Sequence, residues 1–202
     1  ILNNIISIVI LMIRKTQKKK KTKKSVFIEK DFKSGDGMLT SVWGPSLWHS
    51  LHTISFNYPI SPSYKDKIEY RKFILQLKHV LPCKYCRINF KENLKCLPLT
   101  MKQMESRYTF SKYMYDLHEL INKMLKKKSN LTYNQVRERY EHFRARCNKG
   151  KVIRKTRKKK ENGCIDPLYG KKSKCVIKIV PQDTKCDTFQ MNPKCETKRF
   201  YD

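Results

Sequence analysis

Residues 43–59 read WGPSLWHSLHTISFNYP, and this stretch decides the fold class. Its large apolar side chains recur at spacings of one, three and three, and they are Leu47, Trp48, Leu51 and Ile54. That spacing places them on one face of an α-helix. Pro45 suits the first turn of such a helix, where no amide proton is needed, and Pro59 ends the segment. We therefore predict a helix over residues 44–57.

Helical periodicity recurs in four segments further along the chain. We predict helices over residues 63–80, 83–90, 109–128 and 132–147. The expected core stripe of the second helix consists of Ile68, Phe73, Ile74, Leu77 and Val80. At the start of the last helix, Thr132 and Gln135 form a capping box. Five helices joined by short loops predict an all-α four-helix bundle with a short fifth helix.

Positive charge is concentrated outside this helical region. The 202-residue chain has a formal net charge of +29, and two runs, residues 14–24 and 151–160, hold much of it. Such runs are typical of solvated tails, and they also favour weak, nonspecific contact with nucleic acid or acidic surfaces. We predict a low-complexity basic leader (1–37), a folded domain (38–148) and a basic, cysteine-containing tail (149–202).

The leader begins with an apolar stretch, residues 1–13, which the first basic run follows. Thirteen residues are too few to span a bilayer, and the stretch does not form a convincing signal peptide. Three interpretations stay open: translation starts at Met38, residues 1–13 belong to a membrane anchor with a basic flank, or the leader is a disordered extension.

The motif LPCKYC at residues 81–86 contains the one CxxC of the chain. A helix N-terminus and the neighbouring cations Lys84 and Arg87 are expected to lower the thiol pKa and favour the reactive thiolate. Spacing of three on a helix brings Cys83 and Cys86 to one side, where a reducible disulfide can close. A redox pair is therefore one interpretation of the motif.

Zinc binding is the other interpretation of these cysteines. His79, Cys83, Cys86 and Cys96 could supply four ligands of the kind that zinc prefers. Together with the basic tails, such a site would make the protein a zinc-stapled basic nucleic-acid-binding module. The CxxC alone leaves both interpretations open.

Four separated motifs favour the redox interpretation. They are WGPSLWHSLHTISFNYP (43–59), LPCKYC (81–86), LHELIN (117–122) and the pair RERY and FRARC within residues 137–147. In this order and spacing, the chain resembles the Erv/ALR family of FAD-linked sulfhydryl oxidases, and it looks closest to the versions carried by large DNA viruses.

The resemblance implies an enzyme that forms disulfide bonds in protein dithiol substrates. Electrons would pass through the CxxC to FAD and then to molecular oxygen, giving hydrogen peroxide. In this scheme Cys83 is the interchange thiol, Cys86 is the thiol next to the flavin, and no metal takes part. The resemblance also implies a homodimer, and a viral member would act in the host cytoplasm or the virion.

The resemblance further implies a set of FAD contacts: Gly44, Trp48, His52, Tyr58, Cys86, His118, Asn122, Lys127, Arg139 and Tyr140. Two positions depart from the family's pattern, since Glu119 replaces an Asn and Pro45 replaces an Arg that is common in cellular members. A carboxylate beside a diphosphate repels it, and Lys123 or Lys127 could offset that repulsion.

Four further cysteines lie in the tail: Cys164, Cys175, Cys186 and Cys195. The resemblance implies a second, shuttle disulfide on such a segment, formed by Cys175 with Cys186 or by Cys164 with Cys175. Four cysteines allow three pairings, and a purely structural role stays open as well. Cys96 and Cys147 have no assigned role. The tail is expected to be irregular apart from a strand-like run at residues 175–180.

Overall fold

The computed structural model describes residues 26–35, 37–148, 163–187 and 189–196. The chain divides into two compact units, Ile1–Gly35 and Asp36–Asp202. The apolar start of the leader and both basic runs lie outside the described residues, so the predictions made for them stay predictions. In the first unit, the described residues form a single-turn helix, Glu29–Phe32.

Five longer helices dominate the described part of the second unit. They are α1 (Thr40–Phe56), α2 (Tyr64–Val80), α3 (Lys84–Cys96), α4 (Arg107–Met124) and α5 (Tyr133–Glu141), with a 3-10 turn at Met101–Met104 before α4. Helix α1 packs against α4 and α5, and α3 packs against α2 and α4. The predicted all-α class is confirmed. None of the helices among the described residues is long and apolar enough to cross a membrane.

Side chains just before the helices supply their N-terminal caps. Thr132 Oγ1 accepts a hydrogen bond from the Gln135 amide at 3.3 Å, and Gln135 Oε1 accepts one from the Thr132 amide at 2.8 Å. The predicted capping box of α5 is therefore confirmed. Ser63 and Asp66 make the same reciprocal pair at the start of α2, with distances of 3.1 and 2.9 Å. These pairs satisfy amides that have no partner within the helix.

The start of α1 differs from the prediction. The helix begins at Thr40, so Pro45 lies inside it rather than in its first turn. Proline removes one backbone donor, which would otherwise bond the carbonyl one turn earlier. Trp43, which precedes the proline, still donates its amide to Leu39 O at 3.3 Å, and the helix forms on both sides of Pro45.

Strand pairing ends the helical part of the chain earlier than predicted. Helix α5 stops at Glu141, and Ala145–Asn148 form strand β1 instead of a last helical turn. Strand β1 pairs antiparallel with β2, Gly163–Pro167, in a register that sets Ala145 opposite Pro167. The strand predicted at residues 175–180 was wrong, since that run contains no strand.

The core lies where α4 meets the other helices. Its buried side chains include Leu51, Ile74, Leu77, Phe90, Phe110, Met114 and Leu117. The predicted stripe of α2 was wrong at two positions, because Phe73 is 44% exposed and Val80 is 67% exposed. Side chains of a helix are buried only where a neighbouring element packs against them. In α2 this is the side that carries Ile74 and Leu77.

Candidate active site

The CxxC sits at the start of α3, with Cys83 as its N-cap. The Cys86 amide donates to Cys83 Sγ at 3.2 Å, and Cys86 packs against the hydrophobic core. Both cysteines are free thiols. Hydrogen bonds from the Cys86 thiol and amide lower the pKa of Cys83, whereas burial raises the pKa of Cys86. Cys83 is therefore the thiol that ionises first, and its thiolate is the reactive form.

Neighbouring cations contribute less to this pair than the sequence predicts. Lys84 is exposed to solvent, and the Arg87 guanidinium donates to the Leu81 carbonyl. Hydrogen bonds are the main cause of the lowered pKa of Cys83: the Cys86 thiol contributes most, and the Cys86 amide of the first helical turn comes next.

Residues 37–40, which we call the bracket, hold the loop before the CxxC against the start of α1. The Met38 amide donates to Pro82 O at 2.9 Å, and Trp43 Nε1 donates to Met38 O at 3.0 Å. Gly37 has φ of +103°, and a Cβ added there would lie 2.8 Å from Pro82 O. Only glycine fits this approach without strain. The bracket ends at Thr40, whose Oγ1 lies 3.5 Å from Cys86 Sγ.

One face of α1 connects the CxxC with a cluster of histidines. Thr40, Gly44, Trp48 and His52 follow one another at intervals of four, so they lie on the same side of the helix. Twelve residues of helix span about 18 Å. Gly44 is buried, and a Cβ there would meet only Thr40 Cγ2 at 3.7 Å. The glycine leaves the middle of this face flat.

His52 and His118 form the far end of that face. His52 Nε2 and His118 Nδ1 are 2.9 Å apart, and the Trp48 ring stacks on His118 at 3.9 Å between centroids and 5° between planes. Burial, followed by the charges of His118 and His49, lowers the pKa of His52 to about 3. Burial likewise lowers the pKa of His118 to about 4. Both rings are therefore neutral at pH 7, and each keeps one donor and one acceptor.

A buried polar atom at this end has no partner. His52 is 4% exposed, and its Nδ1 makes no hydrogen bond with any atom of the described residues. Buried polar atoms are almost always bonded, and an exception indicates a partner such as a ligand or an ordered water. This atom is therefore a candidate partner for a polar group of a bound molecule or for an ordered water.

Helix α5 and the tail cover the opposite side of the histidine cluster. Tyr140 lies against His52 at 5.5 Å between ring centroids, and its hydroxyl is 3.4 Å from His49 Nδ1. The Arg139 guanidinium lies over the Phe189 ring at 5.7 Å, and Phe189 also contacts His49. His49 and Phe189 were missed from the sequence. His49 stands beside Trp48 in the opening motif, but Phe189 lies in a tail without periodicity, so no local signal marks it.

The end of α4 opens into a basic groove of about 560 Å³. Its walls include Tyr115, Glu119, Lys123, Lys126, Lys127 and Lys128. Asn122 Nδ2 donates to Glu119 Oε1 at 3.0 Å, and the Lys127 amide donates to Asn122 O at 2.8 Å. Four lysines outweigh the one carboxylate, so the groove attracts anions, as expected from Lys123 and Lys127.

Tyr58 takes no part in this arrangement. Its side chain is 0% exposed, and its hydroxyl donates to Met104 O at 2.9 Å. The ring packs on Tyr70 and Phe110 in the core. The structure therefore gives Tyr58 a role in stabilising the bundle, and its predicted contact with FAD stays a prediction.

The remaining cysteines do not form the sites that the sequence predicts. Among the described residues, no three His, Cys, Asp or Glu side chains lie close enough to hold a metal ion, so His79 and Cys96 do not join the CxxC as zinc ligands. Cys164 is in a disulfide, whereas Cys175 and Cys186 are free thiols. Neither predicted tail pairing is present, and the shuttle role of the tail stays a prediction.

The arrangement fits an elongated anionic dinucleotide. A flat helix face, neutral imidazoles with one unpaired nitrogen and a stacked indole suit planar heterocycles, and the lysine groove suits a diphosphate. The Thr40 end of the α1 face lies beside the reactive thiol pair. Such a donor set fits the FAD that the motifs imply.

Comparison with known proteins gives the family. The Erv1/Alr family model matches residues 45–141. The chain is 37% identical over 99 residues to a probable FAD-linked sulfhydryl oxidase of Acanthamoeba polyphaga mimivirus, an alignment that covers 49% of this chain and 68% of the relative. The chain belongs to the Erv1/Alr family. The FAD-linked sulfhydryl oxidase of African swine fever virus is 31% identical over 99 residues, which are 49% of this chain and 80% of that one.

Cellular members of the Erv1/Alr family are also similar. The mitochondrial FAD-linked sulfhydryl oxidase of Saccharomyces cerevisiae is 31% identical over 84 residues, which are 42% of this chain and 43% of the yeast protein. The crystal structure of the yeast Erv1 core superposes with a TM-score of 0.47 at 24% identity, covering 62% of this chain and 95% of that one.

Proposed function

We propose that this protein is an FAD-linked sulfhydryl oxidase that forms disulfide bonds in protein dithiol substrates. The observation that carries the proposal is the α1 face, which leads from the thiol pair at Thr40 to the neutral histidines at His52. Membership of a family whose curated relatives are named FAD-linked sulfhydryl oxidases supports it. FAD, when bound, would accept the two electrons of a dithiol and pass them to oxygen, which is reduced to hydrogen peroxide.

The residues that would hold FAD come from three helices. Trp48 and His52 of α1 and His118 of α4 offer stacking surfaces and the unpaired Nδ1. Gly44 keeps the face between them and Cys86 flat. Further contacts would come from Lys127 in the basic groove, from Asn122, which bonds Glu119 of its wall, and from Arg139 and Tyr140 of α5.

The thiol pair carries out the exchange with the substrate. A substrate thiolate attacks Cys83 Sγ in the disulfide form of the pair, the bond between the two cysteines breaks, and its electron pair goes to Cys86 Sγ. A second substrate thiol then attacks the mixed disulfide and releases Cys83. The substrate leaves as a disulfide, and the pair keeps two electrons. Cys86 holds them beside α1, because it packs inward while Cys83 caps the helix.

A homodimer is part of this proposal. Apolar side chains that the bundle leaves exposed support it, among them Phe73 and Val80 of α2 and Ile60 just before it. We expect sedimentation to give twice the monomer mass, and a monomer at micromolar concentration would contradict this part. Molecular oxygen as acceptor and the host cytoplasm or virion as compartment stay predictions.

Substitution of the inner thiol tests the activity. We expect Cys86→Ser to abolish thiol-dependent oxygen uptake while FAD stays bound, because the exchange loses the sulfur that accepts the electron pair. Cys96→Ser is the matched control, since Cys96 is an exposed thiol at the end of the same helix. Oxygen uptake that persists in Cys86→Ser, or that is lost equally in the control, contradicts the proposal.

A further inference from the structure

Thr40 contacts the thiol pair although the sequence gives it no role. It is the first residue of α1, and its Oγ1 lies 3.5 Å from Cys86 Sγ, within hydrogen-bonding range for sulfur. The bracket fixes this placement from the other side, because Met38 is bonded to Pro82 and Trp43 is bonded to Met38. The Thr40–Cys86 contact therefore lies between the start of α1 and the CxxC loop, which the bonds of the bracket already hold together.

Cys86 needs a donor at the moment its sulfur becomes charged. In the exchange, the electron pair of the broken disulfide goes to Cys86 Sγ, and burial raises the pKa of that thiol. A thiol with a raised pKa is a poor leaving group. The other donor near the sulfur is the amide of Cys86 itself, since Cys83 is bonded to the substrate sulfur at that moment and has no proton to give.

The nearby cations do not fill that need. Lys84 is exposed, and the Arg87 guanidinium is bonded to the Leu81 carbonyl. Either atom of the Thr40–Cys86 contact can donate while Cys86 is a thiol. A thiolate has no proton to give, so the hydroxyl of Thr40 then becomes the donor, and hydrogen bonds to a charged acceptor are the stronger kind.

We propose that Thr40 is a positioning residue of the thiol pair, whose hydroxyl donates a hydrogen bond to the sulfur of Cys86 and so favours the reduced pair over the disulfide. A disulfide sulfur accepts hydrogen bonds only weakly, so the bond stabilises one side of the equilibrium. The inference rests on the proposed function, because it concerns Cys86 as the sulfur that receives the electron pair. The Thr40 hydroxyl also contributes, after the bonds from Cys86, to the lowered pKa of Cys83. The hydroxyl therefore stabilises the reduced pair whichever of the two sulfurs is charged.

The experiment measures the equilibrium of the pair with glutathione, without oxygen, in the full-length protein. One oxidised glutathione takes two electrons from the dithiol, giving the protein disulfide and two reduced glutathione molecules. Cleavage at glutamates after trapping with an alkylating agent releases residues 70–92, in which Cys83 and Cys86 are the only cysteines. The oxidised fraction of this peptide gives the equilibrium constant.

We expect Thr40→Val, which replaces the hydroxyl by a methyl group, to shift the constant toward the disulfide about three- to tenfold, or ~14–30 mV. Thr40→Ser keeps the hydroxyl and should stay within about twofold of the wild type. Thr53→Val is the control, since Thr53 lies on the same helix and its hydroxyl donates to His49 O. Thr40→Ala repeats the test should the valine variant fail to fold.

A constant unchanged in Thr40→Val, or shifted equally in Thr53→Val, overturns the inference. The equilibrium is measured without oxygen, so it does not depend on oxygen uptake. A protein without oxidase activity that still shows the Thr40 shift would refute the proposed function and leave the role of Thr40 intact.

Discussion

Cys83 and Cys86 are three residues apart, yet their surroundings make them chemically different. The sulfur of Cys83 accepts hydrogen bonds at the helix start, and Cys86 packs against the core. The resemblance implies different roles for the two thiols, and those roles stay predictions, while the lowered pKa of Cys83 has hydrogen bonds rather than Lys84 and Arg87 as its main cause. Thr40 and His49 could not be predicted, because each meets its partner through the packing of distant segments.

The lowered pKa of Cys83 predicts fast alkylation. Its thiolate is populated at a lower pH than that of an ordinary thiol, so the reduced protein should react with iodoacetamide faster than glutathione does at pH 7. Cys83→Ser should remove this fast phase, whereas Cys96→Ser keeps it. Mass spectrometry of the modified peptides identifies the site, and a fast phase on Cys86 instead would reverse the assignment of the two thiols.

At the scale of elements, α1 positions most of the candidate site. Its periodicity predicted the helix and the face with Trp48 and His52, because local spacing alone determines which side chains share a face. The ends of elements were less predictable. Helix α5 ends early because β1 pairs with a strand that begins at Gly163, and a partner that far along the chain leaves no mark in local periodicity.

The flat middle of the α1 face predicts a specific effect of Gly44→Val. A Cβ added there meets only Thr40 Cγ2 at 3.7 Å, so we expect the fold to persist. It would stand on the face where FAD is proposed to lie, and overpacking costs about 1–3 kcal/mol, so FAD affinity should fall about tenfold. Ser50→Val, on the exposed side of α1, is the control. Flavin absorbance per protein after gel filtration measures the loss, and equal retention in both variants would contradict the placement.

Two histidines of the bundle are neutral at pH 7, one of them buried and the other half-buried. His52 and His118 have pKa values of about 3 and about 4, below the ordinary 6.5. The unfolded chain therefore binds more protons than the folded one once the pH falls below 6.5. The stability that depends on these rings is complete above that pH and is lost progressively as the pH falls toward 4.

This linkage predicts an acid-sensitive fold. Between pH 7 and pH 5, each buried histidine should cost about 1–2 kcal/mol of the free energy of unfolding. Urea unfolding at the two pH values measures the loss of unfolding free energy. In His52→Gln this loss should be smaller by the contribution of one histidine. His79→Gln is the control, since His79 is exposed on α2. A loss that is unchanged in His52→Gln would show that other groups cause the acid sensitivity.

Electrons are expected to pass from a dithiol through the CxxC to the flavin, and anaerobic reduction follows this path at the level of the whole molecule. The purified protein is titrated with dithiothreitol in the absence of oxygen while its visible absorption spectrum is recorded. We predict a yellow protein whose flavin band bleaches with one equivalent of dithiol in the wild type and persists in Cys86→Ser. A colourless protein that contains stoichiometric zinc, or a band that bleaches equally in both proteins, would contradict the account.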